Sequence, residues 1–347
     1  MGVGHKRNPQ PVAATIPRMF RAWRELAPVP TVGIWAPSSP GPLLFPKRFE
    51  RAISALKRAG FEPVLGRSCS NGAGPDWVEP KAAADDLKYL VGEKSVDVVM
   101  AAVGGWSMLP VLPHVDWDLL SVRRPAIVGY SDISVMLWAC LTKIGLQTIH
   151  GPMAIPDFGE FGGPFLYSLD SMRSVLTPGG TGQLSAPLIT TDEVLFWDRE
   201  DVRPRLAEEA TSWRSLRDGR CEGWLLPGCL PAVAQLFETS FMPPSTGAIL
   251  CLETVGMTVD QVWACMSQWR LSGRLDSVAG LVIARHSQLR PSASGLSDVD
   301  KVILEVTRGL DIPILVDVDF GHTDPRLSLK VGGLARLDSG RGQIQIL

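Results

Sequence analysis

The sequence predicts an α/β protein: a doubly wound, mostly parallel sheet followed by a second, smaller α/β domain. Three observations carry this. From Thr31 onwards, short apolar runs alternate with amphipathic segments of helical period. The runs are apolar at successive positions rather than alternate ones, as strands covered on both faces are. The chain has 347 residues, 45% of them hydrophobic, and at a prior of about 150 residues per domain that length suggests two domains.

The elements follow in order. Val32-Gly33-Ile34-Trp35-Ala36 reads as a strand running into the turn-rich Pro37-Ser38-Ser39-Pro40-Gly41. Phe45 to Ala59 has Phe49, Ile53 and Leu56 on one helical face, and Gly60 stands where a helix C-cap belongs. A strand over Phe61 to Leu65, a helix over Pro80 to Val91 and a buried strand over Val96 to Val103 come next, the last closed by Gly104-Gly105. Helical segments around Leu109 and over Asp116 to Leu120 lead to the strand Ala126 to Tyr130, and a helix over Asp132 to Ile144 follows directly. Between Gly151 and about Arg220 the pattern weakens, broken by two Gly/Pro clusters, and Asp198 to Arg205 is charge-rich. Beyond it come helices at Pro231 to Thr239, Val259 to Leu271 and Asp298 to Leu310, and strands at Ala248 to Leu252, Val278 to Ala284 and Ile314 to Val318. Strand-like ends at Leu327 to Val331 and Ile344 to Leu347 close the chain. The expected division is a loose or partly helical arm over residues 1–28, an N-terminal domain over 29–180, a linker or lid over 181–220 and a C-terminal domain over 221–347.

Composition excludes several classes. Lys and Arg number 34 against 36 Asp and Glu, a balance that argues against nucleic-acid or anionic-membrane partners. No apolar run approaches the roughly 18 residues a membrane span needs, and the N-terminus lacks an apolar signal core. The six cysteines form no C-x-x-C pair and mostly lie in apolar stretches, which fits free thiols in a reducing cytoplasm. There is no metal-binding motif, P-loop or G-x-G-x-x-G after a strand, so neither metal nor cofactor is expected.

In doubly wound sheets chemistry collects at the carboxyl ends of the strands. Ile127-Val128-Gly129-Tyr130-Ser131-Asp132-Ile133 runs a buried strand through Gly and Ser straight into a helix. A serine on such a turn projects its hydroxyl, and the following N–H groups can stabilise an oxyanion; alternatively Ser131 or Asp132 is an ordinary helix N-cap. A serine nucleophile needs a base. Among the five histidines, His322 stands in a Gly/Pro loop just past the strand ending at Val318, whereas His150, at another strand end, reads as structural. For the acidic orienter, Glu253 closes the apolar run Ala248 to Leu252, with Asp317 and Asp319 as competitors. Gly104 and Gly105 allow close backbone approach to a ligand. Trp197 and Trp213 either stack on a planar ligand or anchor the lid.

With these residues in view, the chain resembles the LD-carboxypeptidase serine peptidases, and within them the microcin C immunity peptidase branch. The matching pieces are Trp35 to Pro40, Gly104-Gly105-Trp106, Val128 to Ile133, His150-Gly151-Pro152, Pro156 to Phe161, Leu252-Glu253 and Gly321 to Pro325. The resemblance implies a flavodoxin-like N-terminal domain and a homodimer without metal. It also implies a triad of Ser131 as nucleophile, His322 as general base and acid, and Glu253 as orienter, with an oxyanion hole from the N–H groups of Gly105 and Asp132. Substrate contacts are expected from Gly104, Trp106, Trp197, Trp213 and the position of Cys229. There the family's Gly-Gly-Asn-Leu is Pro227-Gly228-Cys229-Leu230, and a thiol cannot replace an amide's donors and acceptor. Val103 stands where murein-cleaving members often have Arg. The leading expectation is hydrolysis of the amide between an aminoacyl or peptidyl group and a nucleotide-like moiety. The alternatives are a murein tetrapeptide LD-carboxypeptidase and a non-enzymatic protein that sequesters such a nucleotide.

Overall fold

The computed structural model describes residues 20–69, 78–180 and 182–347. Among these, two large sheets carry the fold. The first takes β1 (Thr31–Trp35), β2 (Glu62–Leu65), β3 (Val98–Ala101), β4 (Ala126–Gly129) and β5 (Thr148–His150), all parallel. The chain then gives β6 (Gly182–Gln183), a ribbon of β7 (Ile189–Thr190) with β8 (Glu208–Glu209), and β9 (Arg214–Arg217). The remaining strands are β10 (Arg220–Cys229), β11 (Ala248–Glu253), β12 (Gly280–Ala284), β13 (Ile314–Val318), β14 (Leu329–Val331), β15 (Leu334–Asp338) and β16 (Gln343–Ile346). The first sheet runs β14-β5-β4-β3-β1-β2 and the second β6-β16-β15-β10-β11-β12-β13-β9. In the second sheet β10 to β13 are parallel.

Side-chain alternation along the strands of the first sheet places a core on each of its faces. Val32, Ile34, Val98, Met100 and Val128 face the helices Pro46–Arg58 and Leu166–Leu176. Trp35, Val99, Ala101 and Ile127 point the other way, into a layer shared with Leu226, Leu250, Leu252 and Leu281 of the second sheet. Trp138, on the helix Ser134–Ile144, sits in that shared layer: its Nε1 donates to Pro227 O at 2.7 Å and its ring meets Trp269 edge-on at 5.9 Å. The two sheets therefore share one continuous core.

The expected division is corrected in three places. Residues 181–220 are more than a linker, because β6 and β9, the two edges of the second sheet, come from it. β14, from the C-terminal region, adds antiparallel to β5 and closes the edge of the first sheet, so the halves interlock. Of the arm, 1–19 lie outside the described residues. From Phe20 the chain is pinned to the N-terminal half: Arg21 N–H donates to Gly145 O at 2.7 Å, and Arg24 pairs with Asp97 at 2.9 Å.

Among the elements not expected from the pattern, a helix and a strand have clear local reasons. Leu166–Leu176 is an eleven-residue helix without a side-chain cap, preceded by Gly162-Gly163-Pro164. β10 is the longest strand, yet it contains Gly223, Pro227 and Gly228. Its pairing with β15 involves only Arg220 to Trp224, so Pro227 lies where β10 has one ladder partner, β11, and its missing N–H costs no sheet bond.

Candidate active site

The carboxyl ends of β3, β4 and β11 and the loop after β13 converge on one cleft. At the end of β4, Tyr130 is extended and Ser131 has φ of +60°, opening the turn Ser131–Ile133 into the helix Ser134–Ile144. A non-glycine residue held there costs on the order of 1–3 kcal/mol and is tolerated where the surroundings impose it. The turn leaves no room for a side chain at Gly129, where a Cβ would lie 2.7 Å from Ile133 Cγ2. Ser131 is not the N-cap residue of the turn or of the helix, which are Tyr130 and Ile133. Its hydroxyl makes no capping bond. The Asp132 carboxylate reaches away from its own helix to accept from Ser107 N–H at 2.8 Å and Met108 N–H at 2.9 Å. Asp132 thus fastens the loop after β3 beside Ser131. Its burial raises the carboxyl above the usual range, against the hydrogen bonds that lower it.

Gly104 lies directly over the serine. A Cβ added there would stand 2.9 Å from Ser131 Cβ and 3.0 Å from Oγ. Gly104→Ala is therefore expected to lower kcat/KM about 100-fold by displacing the hydroxyl roughly 1 Å while leaving the circular dichroism spectrum unchanged; unaltered kinetics would contradict the close approach.

His322 and Glu253 meet as expected. His322 Nδ1 lies 2.8 Å from Glu253 Oε2, and the glutamate is fully buried at the end of β11. The approach needs Gly321, where a Cβ would be 2.8 Å from Glu253 Cβ. Burial by itself would raise the Glu253 carboxyl, but the charge on His322 and the hydrogen bond to it outweigh that and hold it below its usual value. Asp317 and Asp319 are occupied elsewhere: Asp317 takes Arg214, and Asp319 takes Arg285 at 2.6 Å and Trp213 Nε1 at 2.8 Å. His150 is enclosed, 3.2 Å from Phe320 O, and burial pushes its pKa down to about 4. Ser131 and His322 face the same cleft of about 620 Å³ without a hydrogen bond joining them, as is common before a substrate tightens such a pair.

The predicted substrate contacts divide. Gly104 and Trp197 line the cleft. Trp197 is held edge-on by Phe45 at 5.1 Å, with the Arg48 guanidinium over its ring at 4.7 Å. Trp213 is corrected to a core residue, 8% exposed and hydrogen-bonded to Asp319. Trp106 is 60% exposed and outside the cleft lining, because its loop turns outward once Asp132 has fixed Ser107 and Met108. Cys229 is buried beside Glu253 and does not line the cleft. Gly105 packs against Ser38, where a Cβ would lie 2.3 Å from the carbonyl oxygen.

Sequence reading missed the polar wall of the cleft. A buried chain of alternating charge runs Asp157, Arg326, Asp324, Arg205, Glu160, Arg48, Asp201, with closest approaches of 2.8, 2.7, 2.6, 2.9, 2.8 and 2.9 Å. Every charge in it has a partner, which makes burial tolerable. Arg326 also donates to Gly321 O at 2.9 Å and stacks on Tyr130 at 3.9 Å, while Tyr130 meets His322 edge-on at 4.9 Å. It thus braces both the serine turn and the histidine loop. Arg326 follows a proline in a polar loop and carries no sequence signal for burial.

A strained serine at a strand-to-helix turn, sharing a cleft with an imidazole backed by a buried carboxylate, is an arrangement whose chemistry suits nucleophilic hydrolysis. Residues 32–151 match the model of the LD-carboxypeptidase N-terminal domain and residues 222–337 that of the C-terminal domain. The chain belongs to the LD-carboxypeptidase family of serine peptidases, in its MccF-like branch. The Microcin C7 self-immunity protein MccF of Escherichia coli is 27% identical over 323 residues, covering 91% of this chain and 92% of that protein. A protein of Bacillus subtilis (strain 168) named "Probable murein peptide carboxypeptidase" is 26% identical over 310 residues, 89% of each chain. The structure of MccF in complex with glutamyl sulfamoyl guanosine superposes with a TM-score of 0.86 at 27% identity, covering 94% of this chain and 98% of that one.

Proposed function

We propose that this chain hydrolyses the amide joining an aminoacyl or peptidyl group to a nucleotide-like moiety, with Ser131, His322 and Glu253 as its triad, and so protects its cell from a toxic aminoacyl nucleotide. The observation that carries the reading is Trp197, an indole in the wall of the same cleft as Ser131, braced by Phe45 and Arg48 so that a planar base can stack on it. The relative solved with a glutamyl sulfamoyl nucleoside supports the same substrate class.

On this reading His322 Nε2 takes the Ser131 hydroxyl proton as Oγ attacks the carbonyl carbon. Glu253 holds Nδ1–H and stabilises the imidazolium. The N–H groups of Gly105 and Asp132 receive the oxyanion. His322 then returns the proton to the leaving nitrogen, and water, deprotonated by the same imidazole, cleaves the acyl-serine ester. No step calls for a cofactor or metal. We place the protein in a reducing cytoplasm, where six free cysteines are stable, and infer the homodimer that the family resemblance implies.

The murein carboxypeptidase reading rests on the Bacillus relative and uses the same three residues. Trp197→Ala separates the two. It is expected to cost about 1–3 kcal/mol in kcat/KM on an aminoacyl sulfamoyl adenosine, the range for a base stacked on an aromatic ring, and nothing comparable on a tetrapeptide. Equal losses on both substrates would remove the stacking argument.

A further inference from the structure

The chemistry above makes no use of the thiol that lies beside its histidine–glutamate pair. Cys229 ends β10 in register with Glu253 at the end of β11, and its backbone N–H is fixed on Ser134 Oγ at 3.0 Å. One donor atom from each of Cys229, Glu253 and His322 lies within 4.8 Å of the other two. Sulfur, carboxylate oxygen and imidazole nitrogen together make a zinc ligand set, and bonds of about 2.0–2.3 Å would set the donors roughly 3.5 Å apart, a slight opening for His322 Nδ1 and Glu253 Oε2, now 2.8 Å apart. A second observation points the same way. Glu253 Oε1, in a side chain with no solvent exposure, meets no N–H or O–H donor among the described residues, and the group that does interact with this carboxylate besides His322 is the Cys229 thiol. The charges also fit, since a thiolate and a carboxylate cancel a divalent cation and add no net charge to the interior.

We propose that Cys229, Glu253 and His322 form an inhibitory site for Zn²⁺, overlapping the histidine–glutamate pair. A Zn–S bond forms as the Cys229 thiol loses its proton to solvent, and a Glu253 oxygen and His322 Nδ1 supply two further bonds. The proton on Nδ1 is displaced to Nε2, so the imidazole no longer accepts from Ser131. No oxidation is involved, and water from the cleft fills the fourth position. The way in is through His322, whose side chain is 17% exposed on the cleft. Burial holds the Cys229 thiol well above its usual value and works against the site, so the metal's own charge must draw the proton off.

Co²⁺ titrated into the metal-free full-length protein reports the thiolate ligand directly, through a sulfur-to-cobalt charge-transfer band in the near ultraviolet. Competition with a chromogenic chelator gives the Zn²⁺ affinity. The expected result is one ion per chain, the band, and loss of hydrolysis reversed by EDTA. Cys229→Ser should abolish the band and weaken Zn²⁺ at least about 10-fold. Glu253→Gln should weaken it similarly with the thiol intact, which covers a Cys229→Ser protein that fails to fold. Absence of the band, or equal Zn²⁺ affinity in wild type and both variants, would overturn the proposal. These binding readouts use no substrate, so they stand or fall separately from the hydrolase reading.

Discussion

Ser131→Ala is expected to reduce kcat by about 10⁴- to 10⁶-fold, the scale on which triad serines are lost, with the remaining rate above water supplied by the oxyanion hole and binding. The size follows from geometry. Ser131 holds a left-handed backbone conformation beneath Gly104, and no other hydroxyl among the cleft-lining residues but that of Tyr130, which is buried beneath Arg326, stands near it. Substrate contacts made by Trp197 do not involve Oγ, so dissociation constants measured by calorimetry on the Ser131→Ala protein should stay within a few-fold of wild type. Activity above about one-hundredth of wild type would mean another group is the nucleophile.

The second large effect belongs to Glu253→Gln, expected at about 10⁴-fold in kcat, as when the triad carboxylate is replaced by its amide and the imidazole is held in the wrong tautomer. Glu253 is the carboxylate paired with His322, because Asp317 and Asp319 are committed to arginines and Trp213. The substitution also has a stability signature. Since the folded protein holds this carboxyl below its usual 4.5, its stabilising contribution is complete above that value and is lost as pH falls through the folded pKa. The difference in stability between wild type and Glu253→Gln, read from urea unfolding, should therefore shrink as pH is lowered below 4.5. A difference independent of pH would show that the carboxylate gains nothing from His322.

Ser131, Glu253 and His322 were legible because each stands at a strand's carboxyl end, where a parallel sheet gathers its polar groups. Their types and places left Ser131 open between nucleophile and helix cap and the acidic partner open among Glu253, Asp317 and Asp319, and the proposed roles came from the family resemblance. The strand pattern was equally clear where runs such as Ala126 to Gly129 are apolar throughout. β10 was not, because Gly223, Pro227 and Gly228 carry turn signals, and only the absence of β15 beside Pro227 makes a strand possible there. The two tryptophans show the limit of composition. Trp197 and Trp213 sit in similarly polar stretches, yet one reaches the cleft while the other is drawn into the core by Asp319 and the edge strand β9. Arg326 and its chain of ion pairs gave no signal, since burial of a charge depends on partners as distant in sequence as Asp157 and Arg205.

The central claim is tested most directly by mass spectrometry of the purified protein incubated in parallel with an aminoacyl sulfamoyl adenosine and a murein tetrapeptide, with Ser131→Ala as control. Cleavage of the adenosine compound to free amino acid and sulfamoyl adenosine, absent in the variant, with the tetrapeptide left intact, is the predicted result. Release of D-alanine from the tetrapeptide with the adenosine compound untouched would contradict it.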